Sequence, residues 1–153
     1  MVAAVVREGE VLWTGAVGAA EVGGTPAAAD VSYRIGSVTK TFTAVLVLQL
    51  RDAGLLDLDD RLEQHLPGTR HGGVTLRRML AHVSGLQREP VGDLWVDLQV
   101  PTREQLLDGF EQAEQVLPQR AVHHYSNIAY AVLGEVVARR TGLTSEKALQ
   151  ERL

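Results

Sequence analysis

The tetrapeptide Ser37-Val38-Thr39-Lys40 marks the change from strand-like to helix-like sequence in this chain. It joins a strand-like approach, residues 32–36, to the most apolar helix-like run of the chain, residues 41–50. Residues three apart at the start of a helix lie on the same face, so we expect the Ser37 hydroxyl and the Lys40 amine to touch. A serine becomes a nucleophile when a neighbouring base takes its proton. The tetrapeptide therefore predicts a catalytic turn that opens a helix.

Lysine is rare in this chain, which sets Lys40 apart. Of the 15 basic residues only Lys40 and Lys147 are lysines, and the rest are arginines, which cannot be deprotonated in a protein. A lysine acts as a base only when its amine is neutral, and burial favours the neutral form. We therefore expect Lys40 to lie in apolar surroundings. By itself the tetrapeptide also fits an N-cap serine followed by a solvated lysine.

Length and composition indicate one soluble globular domain. The chain has 153 residues, 45% hydrophobic content and a net charge of −4. Its arginines are scattered among acids, so neither nucleic acid nor an anionic membrane is an expected partner. The absence of cysteine excludes disulfides, thiolate metal sites and a cysteine nucleophile. The first residues lack the pattern of a signal peptide, so we expect a cytoplasmic protein, or a periplasmic or secreted one if the N-terminus is incomplete.

Strand patterns occupy the N-terminal part of the chain. Two β-rich runs, residues 2–6 and 11–18, flank a glycine-containing turn and predict a hairpin. From Val38 to about Asp52 the residues are apolar nearly all round, which predicts a buried helix that Gly54 ends.

Cap residues mark the helices that follow. Thr75 is expected to cap a helix over 76–82, and Thr102 with Gln105 forms a capping box for a helix to about Val116. A longer helix is predicted over 128–140, closed by Gly142, and Ser145 is expected to cap one more.

A second group of chemically capable residues is Tyr125-Ser126-Asn127. A lysine ammonium lowers the pKa of a neighbouring phenol, which can then take the serine proton. Asn127, the only asparagine of the chain, could bridge Lys40 and a substrate amide, because its side chain both donates and accepts hydrogen bonds. Its position also fits a simple helix cap.

The order Ser37-Val-Thr-Lys40, then Tyr125-Ser-Asn127, resembles the serine β-lactamase-like family of class C β-lactamases, D-alanyl-D-alanine carboxypeptidases and related esterases. Residues 80–86, Leu-Ala-His-Val-Ser-Gly-Leu, are similar to a segment of its esterase and peptidase branch. The resemblance implies an α/β (α+β) fold, with an antiparallel sheet flanked by helices and a helical subdomain. It also implies that Ser37 forms the acyl-enzyme, with Lys40 and Tyr125 as its base system. Asn127 would contact substrate, the Ser37 amide would be half of an oxyanion hole, and no metal or cofactor would be needed.

One motif of that family is not found. Nothing after Asn127 matches its third motif, Lys-Thr-Gly or His-x-Gly, whose strand also supplies the second oxyanion donor. We therefore expect residues 1–153 to be a single incomplete domain, truncated at its C-terminus. Its N-terminal strands and loop would be residues 1–36, and the nucleophile helix and helical region would be residues 37–153.

The predicted function is hydrolysis of an ester or amide through an acyl-enzyme on Ser37, with a small-molecule or peptide substrate and an oligomeric state left open. Two alternatives remain: a non-catalytic penicillin-recognising or peptidoglycan-binding module, and a truncated pseudoenzyme.

An α/β-hydrolase would need Gly-x-Ser-x-Gly, which the chain does not provide. No two of the five histidines are spaced four apart, so no metal site is expected. Trp95 is a candidate for the substrate rim, whereas His82 and Ser84 are expected to pack at a helix end.

Overall fold

The computed structural model describes residues 1–90, 100–120 and 122–153. These residues form two compact units, Met1–Gly36 and Ser37–Leu153. Within the described ranges no helix is long and apolar enough to cross a bilayer.

The N-terminal unit contains the predicted hairpin. Strands β1 (Val2–Arg7) and β2 (Glu10–Ala16) pair antiparallel, and the register is irregular between Val5 and Val6. Trp13 on β2 lies opposite Val5, and both side chains are about half exposed. A hairpin that buries so little is marginally stable by itself in water.

The strand-like approach expected over residues 32–36 is wrong. Residues 31–35 adopt no regular structure, and Gly36–Val38 form a short 3-10 turn. This turn leads directly into the first helix. This run of five residues was too short to specify a strand, which needs a pairing partner that local sequence does not reveal.

Five helices of the described ranges build the second unit. They are α1 (Thr39–Asp52), α2 (Leu76–Leu80), α3 (Arg103–Gln112), α4 (Asn127–Thr141) and α5 (Ser145–Arg152). A 3-10 turn, Leu62–Gln64, lies between α1 and α2.

Most predicted helix ends agree with the structure. Thr75 and Thr102 are N-caps, Thr102 shares a capping box with Gln105, and Gly142 closes α4 in the left-handed conformation, with φ 71°. Helix α3 is shorter than expected because its C-cap, Ala113, is already extended. The cap expected at Ser145 is wrong.

Thr144 is the N-cap of α5, since its side chain accepts a hydrogen bond from the amide of Lys147. The Ser145 hydroxyl instead donates to the carbonyl oxygen of Gly134 on α4, 2.9 Å away. Two adjacent residues were both good caps, and the tertiary contact decided between them.

Helix α4 is the centre of the helical unit and packs against α1, α2, α3 and α5. Its fully buried residues meet side chains of its neighbours in one hydrophobic core, which includes Val47, Leu50, Met79, Phe110, Val132, Leu133 and Val136. Because α1 and α4 share this core, the start of α4 is fixed relative to the first turn of α1.

Helix α1 is less buried than its sequence predicted. Only Leu46, Val47 and Leu50 are buried, while Phe42 and Val45 keep 38% and 40% of their surface exposed. The apolar character all round α1 was therefore a poor guide to burial, because burial depends on what lies against each face of the helix.

One carboxylate is buried inside the helical unit. The Glu135 side chain is only 4% exposed and accepts hydrogen bonds from Arg103 on α3, 2.7 Å away, and from Arg139, also 2.7 Å away. Burial acts to raise the pKa of Glu135, but the two arginines outweigh it and hold that pKa below its ordinary value. This cluster ties α3 to α4.

Candidate active site

Ser37 and Lys40 meet as their spacing predicted. Ser37 lies in the 3-10 turn and Lys40 in the first turn of α1, with Lys40 Nζ 3.3 Å from Ser37 Oγ. Ser37 is exposed, whereas Lys40 is partly buried. The hydroxyl is therefore open to an incoming molecule, and the amine lies beneath it.

The phenol of Tyr125 forms the second contact to this hydroxyl. Tyr125 OH lies 2.7 Å from Ser37 Oγ, although the two residues are 88 positions apart. The pKa of Tyr125 is lowered, first by the neighbouring Lys40 amine and then by the hydrogen bond with Ser37. The Arg88 guanidinium, 5.4 Å from the ring centroid, acts in the same direction. A phenol with a lowered pKa beside a serine hydroxyl is suited to accept its proton.

The apolar surroundings expected for Lys40 are not found. Its Nζ donates to Asn127 Oδ1 at 2.6 Å and lies 4.9 Å from the centroid of the Tyr125 ring and 5.8 Å from that of Tyr130. An oxygen acceptor and two aromatic faces stabilise an ammonium ion. Lys40 Nζ therefore has polar and aromatic neighbours in place of the apolar surroundings that the sequence led us to expect.

Asn127 is not the helix cap that its position allowed. The N-cap of α4 is Ser126, whose hydroxyl accepts from the amide of Ala129 at 3.1 Å. The Asn127 side chain is therefore free for other contacts. Its oxygen accepts from Lys40, and its Nδ2 donates to both oxygens of Glu89, each 2.9 Å away.

His82 packs against the ring of Tyr125, a contact that the sequence analysis did not predict. It was expected within a helix over 76–82, but α2 ends at Leu80, and the His82 ring stacks on that of Tyr125 with centroids 4.5 Å apart. Its Nδ1 accepts from the amide of Ser126 at 3.1 Å. Burial, then His123 and Lys40, lower the pKa of His82, which keeps the ring neutral and able to accept.

Two further serines of the motif segments are poor candidates for a nucleophile. Ser84 and Ser126 are both fully buried, and the Ser126 hydroxyl donates to the carbonyl oxygen of Gln87 at 2.8 Å. Trp95, predicted for the substrate rim, lies outside the described residues.

Sequence comparison places this arrangement in a family. The family model described as Beta-lactamase matches residues 1–153, the whole chain. The chain belongs to the beta-lactamase family. The resemblance inferred from the motifs is thereby confirmed.

Curated relatives agree with this assignment. The chain is 30% identical to "Beta-lactamase-like protein 2" of Dictyostelium discoideum, with 99% of this chain and 30% of that protein covered. It is 35% identical to "Penicillin-binding protein 4" of Amycolatopsis lactamdurans, with 85% of this chain and 35% of that protein covered. The chain therefore spans about a third of the length of these relatives.

Solved structures of the beta-lactamase family are similar to this chain throughout. A class C beta-lactamase from Rhodobacter sphaeroides has 26% identity and a TM-score of 0.74, covering 99% of this chain and 42% of that one. A penicillin-binding protein from Bacillus halodurans has 27% identity and a TM-score of 0.79, covering 98% of this chain and 47% of that one. The predicted fold class, α+β and β-lactamase/transpeptidase-like, is confirmed.

Proposed function

We propose that Ser37 is the nucleophile of a serine hydrolase that forms an acyl-enzyme with an ester or amide. The observation that carries this proposal is the geometry around one exposed oxygen. Ser37 Oγ lies 2.7 Å from the phenol of Tyr125 and 3.3 Å from the amine of Lys40. A nucleophile within hydrogen-bond reach of a base that a third group assists is the general arrangement of covalent catalysis by serine.

In the first half of the reaction Ser37 Oγ attacks the carbonyl carbon while the Tyr125 phenolate takes the hydroxyl proton. Lys40, as an ammonium, stabilises the phenolate and lowers the pKa of Tyr125, so the base exists nearer neutral pH than in free tyrosine. Tyr125 then passes the proton to the leaving amine or alcohol as the carbonyl–heteroatom bond breaks. The products are an ester of Ser37 and a free leaving group.

The second half repeats the proton transfers with water. Tyr125 takes a proton from water, the hydroxide attacks the Ser37 ester, and the proton returns to Ser37 Oγ as the acid leaves. The Ser37 amide is proposed as one oxyanion donor, a contribution worth roughly a hundredfold to a thousandfold in rate. No cofactor takes part in these steps.

The substrate class rests on the relatives. Their names include a penicillin-binding protein and a beta-lactamase, and a D-stereospecific amidohydrolase from Streptomyces sp. is 35% identical with a TM-score of 0.68 over 79% of this chain. Penicillin and other β-lactams contain a cyclic amide, and an amidohydrolase by its name cleaves amides, so these names favour an amide carbonyl as the group attacked. We propose a β-lactam, a D-amino-acid peptide or a simple ester for this chain.

Covalent labelling of the full chain tests the proposal. A labelled penicillin and a fluorophosphonate should each attach to the wild-type chain, and peptide mapping should place the label on Ser37. Ser37→Ala should abolish labelling. The matched control, Ser32→Ala, removes another exposed serine and should leave labelling unchanged.

Two outcomes would contradict the proposal in different ways. Label that persists in Ser37→Ala and maps to Ser84 or Ser126 would show that the nucleophile is misassigned. Reversible binding of a penicillin without bond formation would favour a non-catalytic penicillin-recognising module, and no interaction at all would favour a pseudoenzyme.

A further inference from the structure

Three consecutive residues, Gln87-Arg88-Glu89, line the start of α4. The Gln87 carbonyl accepts from the Ser126 hydroxyl at 2.8 Å, and the Arg88 carbonyl accepts from the amide of Asn127 at 2.7 Å. The Glu89 carboxylate receives Nδ2 of the same asparagine, 2.9 Å from each of its oxygens. This segment, residues 87–89, therefore fixes both the backbone and the side chain of Asn127.

The Asn127 amide lies between two groups of opposite hydrogen-bonding character. Lys40 Nζ, 2.6 Å from Oδ1, can only donate, and the Glu89 carboxylate can only accept. An amide turned by 180° would place its NH2 against the ammonium and its oxygen against the carboxylate. Both hydrogen bonds would then be lost, so the two neighbours together permit one orientation.

We propose that Glu89 is a positioning residue, whose carboxylate orients the Asn127 amide so that Oδ1 holds Lys40 beside Ser37 and Tyr125. This inference rests on the proposed function, because Lys40 is what connects Asn127 to the reacting hydroxyl. Glu89 touches neither Ser37 nor substrate in this role. It acts through Asn127.

Charge and partial burial suit Glu89 to this task. Its side chain is 28% exposed, so the carboxylate is shielded from water more than most surface acids. Arg88 Nε lies 3.1 Å from Glu89 Oε1, which limits the motion of the carboxylate. Hydrogen bonds to an ionised group are stronger than those between neutral groups, so the Nδ2 contact is well suited to hold an amide in place.

The amide itself can be observed directly, because Asn127 is the only asparagine in the chain. Protein labelled with 15N-asparagine should show a single side-chain NH2 pair by NMR. In the wild-type chain these protons should exchange slowly with water, and Glu89→Ala should speed their exchange on the order of tenfold or more. Glu89→Gln should give a smaller change, since a glutamine oxygen still accepts one bond. The control, Glu151→Ala, alters an exposed acid on α5 and should have no effect.

The kinetic test is a cycle of Glu89→Ala, Asn127→Ala and the double variant, read as the rate of Ser37 labelling by a penicillin. Glu89→Ala should slow labelling roughly tenfold to a hundredfold, the size expected when a reacting group is displaced by about an ångström. Because Glu89 acts only through Asn127, the double variant should be no slower than Asn127→Ala alone. Thermal melting should verify that each variant is folded.

Two results would overturn this assignment. The first is an Asn127 NH2 pair that Glu89→Ala leaves unchanged in shift and exchange. The second is a double variant in which the two losses multiply, since Glu89 would then act by another route, such as Arg88 and the Tyr125 ring. If Ser37 is never labelled yet Glu89→Ala frees the amide, the proposed function fails and the orientation of Asn127 by Glu89 stands.

Discussion

Tyr125→Phe removes a single oxygen atom from the site. The lost hydroxyl lies 2.7 Å from Ser37 Oγ, and the ring that remains can still stack on His82, 4.5 Å away. A positioned general base contributes on the order of a hundredfold to ten-thousandfold in rate. Lys40 stays 3.3 Å from the serine as a hydrogen-bond partner, so acylation should fall roughly a thousandfold in the middle of that range.

The assay is the rate of covalent attachment of a labelled penicillin, followed by mass spectrometry of the intact chain. Tyr130→Phe is the matched control, because its hydroxyl donates to the carbonyl oxygen of Leu80 at 2.9 Å. That variant should acylate close to the wild-type rate while losing some stability. Acylation by Tyr125→Phe within tenfold of wild type would refute Tyr125 as the base.

The pH dependence gives a second readout of the same residue. Only the phenolate accepts a proton, so acylation should rise with pH and level off above the pKa of Tyr125. That pKa is below the ordinary tyrosine value of about 10. Lys40→Met removes the first cause of the lowering and should move the rise to higher pH. A pH profile that Lys40→Met leaves in place would contradict the coupling between the two residues.

Four further predictions follow from individual residues. Lys40→Arg should be nearly as damaging to acylation as Lys40→Ala, because a planar guanidinium is larger than the ammonium group and does not reproduce its contacts with Ser37 and Asn127; most activity retained would show that any cation suffices at this position. Glu135→Gln should lower the free energy of unfolding by about 1–3 kcal/mol near neutral pH. Because the pKa of Glu135 is lowered in the folded chain, the stabilisation from its carboxylate is lost as pH falls through that folded-state pKa. The free energies of unfolding of the wild-type and Glu135→Gln chains should therefore converge in acid. Gly85→Ala should lower the free energy of unfolding by more than about 2 kcal/mol, because φ is +76° and the new Cβ would meet the backbone carbonyl of Leu117. Gly142→Ala also has a positive φ but places its Cβ in open space, so it should lower the same free energy by only about 1 kcal/mol. Residues 1–153 alone should hydrolyse esters or β-lactams on the order of a hundredfold more slowly than a chimaera that adds the third-motif strand of a relative. Equal rates would contradict the need for the second oxyanion donor that this strand supplies.

Local signals predicted the fold best where a few neighbouring residues decide the outcome. The capping box at Thr102 and the left-handed Gly142 are set within one turn of a helix, and both were correct. The burial of α1 was wrong because it depends on what packs against each face. The strand expected over 32–36 was wrong for the same kind of reason, since a strand needs a partner.

In the site, too, contacts between neighbouring residues could be predicted from the sequence, whereas contacts between distant residues could not. The contact between Ser37 and Lys40 follows from helical spacing, but nothing in spacing brings Tyr125 to within 2.7 Å of a serine 88 residues away. That pairing was expected only from the resemblance to a family. Glu89 was missed altogether, because a single acid in a loop carries no periodic or motif signal. His82 lies in the family-like segment 80–86 but was expected only to pack at a helix end, and its contact with Tyr125 was not foreseen. Their importance comes from what lies opposite. The shared core of α1 and α4 sets Lys40 against Asn127, and a donor-only amine on one side of that amide makes an acceptor-only carboxylate on the other side its natural complement.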